Sequence, residues 1–397
     1  MRFAPLELDR VERRLRRAAG VADLRAIAKR RLPGGVFDYI DGGAEDERTL
    51  AANSEAFARI GFRPRVLRDV GAVDPSTTLL GRPLPFPLVL APTGFTRIAD
   101  PEGELAVARA AARAGLPYAL STLGTRSIEE VAEASDGPKW FQVYVWRDRG
   151  LVKEMIDRVS EAGYEALVLT VDTAVLGKRE RDVRRGFSLP PKIGPGTLLD
   201  GLLHPGWTWD FVRAEPIRFA NVVGADVGDG ASAVSLASYI NAQFDPAVSW
   251  RDLEWFRASW PGPIVLKGVQ GTADARIAAD SGVEAIALSN HGGRQLDSAP
   301  ATVDLVAPVA DAVGDRLEII CDGGVRRGSD IVKAVALGAK AAMAGRAYLY
   351  GLGAGGERGV DHVLGLLDAD VRRTMALVGA RSVDDLTSEL VNQAGLG

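Results

Sequence analysis

The stretch Ala285-Ile286-Ala287-Leu288-Ser289-Asn290-His291-Gly292-Gly293-Arg294-Gln295-Leu296-Asp297 joins a short apolar run to a turn that holds a histidine and an arginine. The run is continuous rather than alternating, the pattern of a parallel strand buried on both faces. His291 and Arg294 therefore sit where a strand ends. Outward from this point the same unit repeats. Apolar runs at 264–268, 318–322 and 341–346 flank it, with helical patterns at 273–282 and 330–338 between them. Upstream lie further runs at 86–91, 118–121, 141–144 and 166–172, separated by helical patterns at 101–115, 127–135 and 152–163. Several of these patterns close on a glycine at the expected C-cap. Eight strand and helix units predict a TIM (β/α)8 barrel, because parallel strands need helical crossovers and eight of them close into a filled cylinder. A doubly wound sheet would carry its glycine-rich turn after its first strand, whereas Asp322-Gly323-Gly324 follows the seventh.

Two regions fall outside the repeat of an α/β chain read as one domain over 1–397, with the barrel over 86–350 and C-terminal helices over 351–397. Residues 1–85 read as an N-terminal helical extension, with Arg13, Arg14, Arg16 and Arg17 on the solvated face of an amphipathic first helix. Residues 185–250 read as a long insertion between strands four and five, with Trp207, Trp209, Phe211 and Phe219 among prolines and glycines. A loop of that length serves as a lid, a subunit contact or a membrane-facing patch, and the sequence does not choose among them.

Lysine and arginine total 48 against 52 acidic residues, so no global positive field exists to hold nucleic acid, and an anionic substrate must be met locally. A single cysteine, Cys321, excludes an internal disulfide framework and any cysteine metal cluster; no metal site is expected. That cysteine usage, and the lack of a signal core, predict a cytoplasmic location, with peripheral contact at the inner face of the membrane left open.

If this is a barrel, polar residues must collect at the C-terminal strand ends, and they do. Strand one ends in Pro92-Thr93-Gly94, two in Ser121, three in Gln142 and Tyr144, and four in Thr170 and Asp172. Strand five ends in Lys267, six in Ser289 and His291, seven in Asp322, and eight in Gly345-Arg346. Any one of them, Thr170 or Ser121 above all, reads alone as a core polar residue satisfied by backbone. The run Asp322-Gly323-Gly324-Val325-Arg326 leading into a helix, with Gly345-Arg346 beyond it, suits a phosphate gripped by backbone N–H groups and arginines. Lys267 on an apolar strand needs an anion, either an electron-rich cofactor ring or a barrel carboxylate. Arg179 and Arg294 would fork onto a substrate carboxylate. Lys178, Arg181 and Arg184 read as solvated loop charges. Asp172 would orient His291, and a histidine–aspartate pair without a nucleophile points to proton abstraction.

These segments, with Phe37-Asp38-Tyr39 and Gly42-Gly43-Ala44-Glu45-Asp46, resemble the FMN-dependent α-hydroxy acid dehydrogenase and oxidase family from about residue 24 to 386. By that resemblance Pro92, Thr93, Gly94, Ser121, Gln142, Thr170, Lys267 and Ser289 would hold the flavin ring and ribityl chain. Asp322, Gly323, Gly324, Arg326, Gly345 and Arg346 would hold its ribityl and phosphate end. His291 would be the base supported by Asp172, and Tyr39, Tyr144, Arg179 and Arg294 would bind the substrate. Two positions depart from the family pattern: Gly94 stands where many members carry alanine, and Leu123 where several oxidases carry a bulky aromatic. The resemblance implies oxidation of an L-2-hydroxy acid, L-lactate foremost, to its 2-keto acid. Electrons would pass to a quinone, a cytochrome, oxygen or another carrier, in an assembly of four copies. A peroxide-forming oxidase or a lactate 2-monooxygenase is the alternative with the same residues, and an FMN-dependent isomerase a more remote one.

Overall fold

Eight parallel strands close on themselves in the computed structural model, which describes residues 9–185, 194–222 and 242–393. Parts of the expected 185–250 insertion therefore lie outside the described residues. Helices α1 (Arg10–Leu15), α2 (Val21–Arg31), α3 (Gly34–Asp41) and α4 (Arg48–Arg59) come first, then short strands β1 (Ile60–Phe62), β2 (Thr77–Leu79) and β3 (Arg82–Leu84). The barrel alternates β4 (Leu88–Leu90), α5 (Gly103–Arg113), β5 (Tyr118–Ser121), α6 (Ile128–Glu133), β6 (Lys139–Tyr144), α7 (Arg149–Glu161) and β7 (Ala166–Thr170). Helices α8 (Glu180–Arg184), α9 (Pro195–Leu203), α10 (Pro205–Arg213) and α11 (Asp252–Ser259) precede β8 (Ile264–Val269). Then follow α12 (Thr272–Asp280), β9 (Ala285–Leu288), α13 (Val306–Val313), β10 (Glu318–Asp322), α14 (Gly328–Ala336), β11 (Ala341–Ala344), α15 (Arg346–Gly355), α16 (Glu357–Val378) and β12 (Val391–Gln393). Parallel pairing between β11 and β4 closes the ring.

A period of two sorts every barrel strand. Val89, Ala119, Trp140, Val168, Val265, Ala287, Ile320 and Met343 pack together inside the cylinder. Leu88, Leu120, Phe141, Leu167, Leu266, Ile286 and Ile319 face the surrounding helices. Both faces are buried, which is why the strands read as continuous apolar runs. Two residues further along the inward phase stand Ser121, Gln142, Thr170, Lys267, Ser289 and Asp322, so the same geometry that fills the barrel delivers a polar ring to its C-terminal mouth.

The other end is closed by a part of the chain expected to be helical. Residues 60–84 hold three short strands and no helix instead, and the β2–β3 hairpin puts Leu79 and Leu84 into the barrel interior. β1 pairs antiparallel with β12, tying the N-terminal segment to the C-terminal one. The last barrel strand stops at Ala344, and Arg346 opens α15 rather than ending a strand. The first helix ends at Leu15, so Arg16 and Arg17 lie beyond it, exposed as expected of a solvated face.

Asp41, at the end of α3, is the most heavily bonded carboxylate of the N-terminal segment. Arg25 donates to it through Nε and Nη2 at 2.6 and 2.7 Å, Arg181 at 3.0 Å and the Tyr350 hydroxyl at 2.7 Å. Burial pushes its carboxyl upward, and Arg25, Tyr350 and Arg181 overcome that and hold it at about 2. Because the folded pKa is depressed, this stabilisation is complete above the unfolded carboxylate range and is lost as the pH falls from about 4 towards 2. Asp41→Asn is expected to cost roughly 2–3 kcal/mol at neutral pH, with the difference from wild type vanishing near pH 2. Denaturant titrations followed by circular dichroism across that range check it; a gap that does not change with pH would contradict it.

Candidate active site

At the mouth of the barrel lies a cavity of about 500 Å³, lined from the ends of the barrel strands or the loops that follow them and by the N-terminal segment. Of the residues singled out in the sequence, Tyr39, Pro92, Thr93, Gly94, Ser121, Tyr144, Arg179, Lys267, His291, Arg294, Asp322, Gly323, Gly324, Arg326, Gly345 and Arg346 face it. Gln142, Thr170, Asp172 and Ser289 are absent from its lining, and each stands close behind a residue that faces it.

The loop after β9 is bent hard to present His291. Its φ is 57°, followed by 63° at Gly292 and 75° at Gly293, three left-handed residues in succession. For a histidine that conformation costs about 1–3 kcal/mol and persists only where the surroundings enforce it. They do so through Asn290, which exchanges side-chain bonds of 2.8 and 2.9 Å with Asn53, donates to Pro300 O and accepts from Gly293 N. His291 Nδ1 then lies 3.0 Å from Asp172 Oδ1, so Nε2 is the nitrogen left for chemistry. Burial pushes the Asp172 carboxyl upward, but His291 and Lys267 hold it below the usual range, ready to carry an imidazolium.

Lys267 takes the carboxylate partner that its strand position allowed. Its ammonium lies 2.7 Å from Asp322 Oδ2 and 2.8 Å from Ser289 Oγ, and Ser289 Oγ donates to the same Asp322 oxygen at 2.7 Å. Burial lowers the lysine's pKa, and Asp322 and then Asp172 more than restore it, so the ammonium stays charged at the cavity wall.

The arginines divide into two groups. Arg179 and Arg294 flank the Tyr39 ring, their guanidinium carbons 5.4 and 5.0 Å from its centroid. Arg294 Nη1 donates to Tyr39 O at 2.6 Å and to Gly42 O at 3.1 Å. Burial, then Arg179, pushes its pKa down. Arg346 faces the cavity at the expected phosphate end, but backbone carbonyls already hold it. Its side chain donates to the carbonyls of Ile40, Gly42 and Gly292 at 3.0, 2.6 and 2.7 Å, stitching the rim together. Burial and then Arg294 push its pKa down as well. Arg181 is not a solvated loop charge either, since it is half-buried among Asp38, Asp41 and Glu47. Lys178 and Arg184 are exposed, as expected of solvated charges, and both pair with the half-buried Glu180, Lys178 standing at the cavity edge.

Sequence reasoning passed over Phe244, Gln295 and Asp182. Phe244 packs edge-on against Tyr144 at 5.1 Å, and Phe219 lies 5.5 Å from Phe95, so both described edges of the insertion furnish cavity wall. Gln295 fastens the loop after β7, donating to Asp172 O and Val175 O and accepting from Gly177 N. Its place beside Arg294 was a usable signal; for Phe244 the sequence held none. Gly94 and Leu123, the two departures from the family pattern, touch: a Cβ on Gly94 would stand 3.0 Å from Leu123 Cβ. They are one packing choice.

A family model described as FMN-dependent dehydrogenase matches residues 28–393. An L-lactate dehydrogenase of Caulobacter vibrioides is 46% identical over 382 residues, 95% of this chain and 99% of the relative. Among solved structures, a monotopic membrane protein, (S)-mandelate dehydrogenase, superposes with a TM-score of 0.90 at 41% identity, covering 95% of this chain and 100% of that one. A mandelate oxidase gives 0.81 at 38%, covering 94% and 98%.

The residues present fit FMN. Gln142 Nε2 and Thr170 Oγ1 are buried at the strand ends with no partner among the described residues, which Thr170 as a satisfied core residue would not be. Gln142 Oε1 meanwhile accepts from Ser121 Oγ at 3.0 Å, fixing which end of the amide is left over. Such groups cost about 1–3 kcal/mol each until something bonds them. At the other end Gly323 and Gly324 adopt φ of 116° and 84°, beside Arg326, an open-handed turn suited to a phosphate. Removing one partner of the buried ion pair should be severe: Lys267→Met is expected to destabilise the cofactor-free protein by about 3–5 kcal/mol, since it strands Asp322. Chemical denaturation measures this, and a loss below about 1 kcal/mol would show that the pair is not desolvated.

Proposed function

The chain belongs to the FMN-dependent dehydrogenase family and oxidises an L-2-hydroxy acid with FMN as cofactor, and from that premise we propose that its substrate is L-lactate and its electron acceptor a membrane-borne quinone. The observation that carries the reading is the convergence of a carboxylate-backed imidazole, His291 on Asp172, with the two arginines that flank Tyr39 in one cavity. A hydroxy acid offers both groups they require, a carboxylate for the guanidinium forks and a proton for the base.

Arg179 and Arg294 hold the substrate carboxylate and thereby fix its α-carbon. His291 Nε2 takes the proton that leaves the substrate, and Asp172 stabilises the resulting imidazolium. Burial, then Asp172, pushes the Tyr144 hydroxyl well above its ordinary range, so it remains a donor at the cavity wall. Gln142, Thr170 and Ser121 take the ring of the cofactor, Lys267 its negative side when reduced, and the 323–326 turn with Gly345 its phosphate. When bound, FMN supplies the two-electron acceptor for the substrate.

Peripheral membrane contact is supported by the insertion. Leu198, Leu199, Leu202 and Leu203 of α9 are 60–77% exposed, and Trp209 of α10 is 58% exposed. α10 is anchored from beneath, Trp207 Nε1 donating to Ile98 O at 2.7 Å. No helix among the described residues is long and apolar enough to cross a membrane, so the contact would be interfacial. We assign the whole chain to one catalytic unit assembled as a homotetramer.

A second reading has support in the wall itself. Leu123, Leu176, Val183, Phe219 and Phe244 offer apolar surface beyond what the methyl of lactate uses, which favours a 2-hydroxy acid with a larger side chain.

Anaerobic titration of the FMN-loaded protein with L-lactate, D-lactate and L-2-hydroxy acids of larger side chain decides the substrate. L-lactate should bleach the flavin at the lowest concentration, and bleaching by only the larger acids would replace it. Mixing the reduced protein with oxygen should give slow reoxidation; rapid turnover with peroxide would make it an oxidase. His291→Gln should retain FMN while reduction slows by about 10²–10⁴-fold. Leu199→Asp with Leu203→Asp should abolish co-sedimentation with phospholipid vesicles, and undiminished binding would remove α9 from the contact.

A further inference from the structure

The 42–47 turn, between α3 and α4, carries part of the glycine-rich motif yet faces no reacting group. It bonds instead to both loops that bring arginines to the cavity. On one side Ala44 N donates to Gly293 O at 2.8 Å, and Gly42 O accepts from Arg294. On the other Glu45 N donates to Lys178 O at 2.9 Å, and the Glu47 carboxylate pairs with Arg181, two residues beyond Arg179. The turn is held in an unfavourable form: Glu45 and Glu47, neither of them glycine, have φ of 46° and 63°. Glu47 helps enforce it by accepting from Gly43 N at 2.9 Å.

Helix α8 makes this bracing consequential. It begins directly after Arg179, spans five residues and has no buried residue. Apolar packing therefore cannot fix where Arg179 stands. Polar contacts do: Arg179 itself pairs with Asp182 at 3.5 Å, Gln295 fastens the loop before it, and ion pairs from Arg181 to Glu47, Asp41 and Asp38 and from Arg185 to Asp38 at 2.8 Å tie the helix to the N-terminal segment.

We propose that the 42–47 turn is a spacer that sets Arg179 against Arg294, with the Glu47–Arg181 ion pair as its joint; both are positioning residues that act through Arg179. The proposal rests on the reading that the two arginines take the substrate carboxylate. Binding energy from that carboxylate depends on the separation of two forks, and loosening one of them weakens binding without touching His291 or Asp172.

The test uses the FMN-loaded full chain and its Glu47→Gln, Arg181→Met and double variants, with Arg294→Lys as control. Pyruvate, a carboxylate that does not reduce the flavin, is titrated calorimetrically, and anaerobic stopped flow with L-lactate gives the limiting reduction rate. Either single change should weaken pyruvate binding about tenfold while the limiting rate falls by less than about threefold, and the double variant should be no worse than a single. FMN content and melting temperature report that each variant is folded, and Arg181→Met stands independently should Glu47→Gln not accumulate. Unchanged pyruvate binding in the Glu47 and Arg181 variants, with Arg294→Lys weakened, would overturn the spacer alone. Unchanged binding in Arg294→Lys would overturn the carboxylate reading beneath it. A limiting rate that falls as far as affinity would make the turn a general structural support and overturn the proposal.

Discussion

Buried positive charge in excess of its local counter-charge is the constraint from which the site follows. Lys267 is matched by Asp322, and Asp172 by His291. Arg294 and Arg346 are half-buried with mainly carbonyls and each other for company, and both have their pKa pushed down by loss of water and by a neighbouring arginine. Such an arrangement is costly in a folded protein unless anions complete it. Two are called for at two ends of one cavity, a phosphate near the 323–326 turn and a carboxylate between the arginines that flank Tyr39. FMN and a 2-hydroxy acid bring one each.

The barrel is what makes this concentration affordable. Its interior is apolar up to the level of Val89, Val168, Val265 and Ile320, and the β2–β3 hairpin packs Leu79 and Leu84 against the far end. At the mouth, polar groups stand at the last inward position of six strands, where neighbouring strands supply partners in a fixed order. Ser121 reaches Gln142 on the adjacent strand, and Lys267 reaches Ser289 on the next. Two of the buried groups with no partner among the described residues, Gln142 Nε2 and Thr170 Oγ1, belong to this ring.

Much of this was legible in the sequence because a parallel strand and its C-terminal turn are local: 285–297 shows both the strand and its histidine within thirteen letters. Even the inward phase of Lys267 or Asp322 can be counted along a strand. What escaped depends on contacts between distant segments. Nothing near Arg346 announces that it bonds the carbonyls of Ile40 and Gly42, and nothing near Arg181 reveals Glu47. The strands at 60–84 were misjudged as helical because they are three residues long and gain their order from β12 and from the barrel floor. Phe244 entered the cavity from an insertion whose composition pointed equally to a lid, a subunit contact and a membrane face.

The most direct test of the account is a crystal structure of the FMN-loaded protein with pyruvate bound. The account predicts the pyruvate carboxylate between Arg179 and Arg294, its carbonyl oxygen towards His291 Nε2, and the cofactor ring bonded to Gln142 Nε2 and Thr170 Oγ1. A carboxylate bound away from both arginines, or a flavin that leaves those two groups unpartnered, would contradict it.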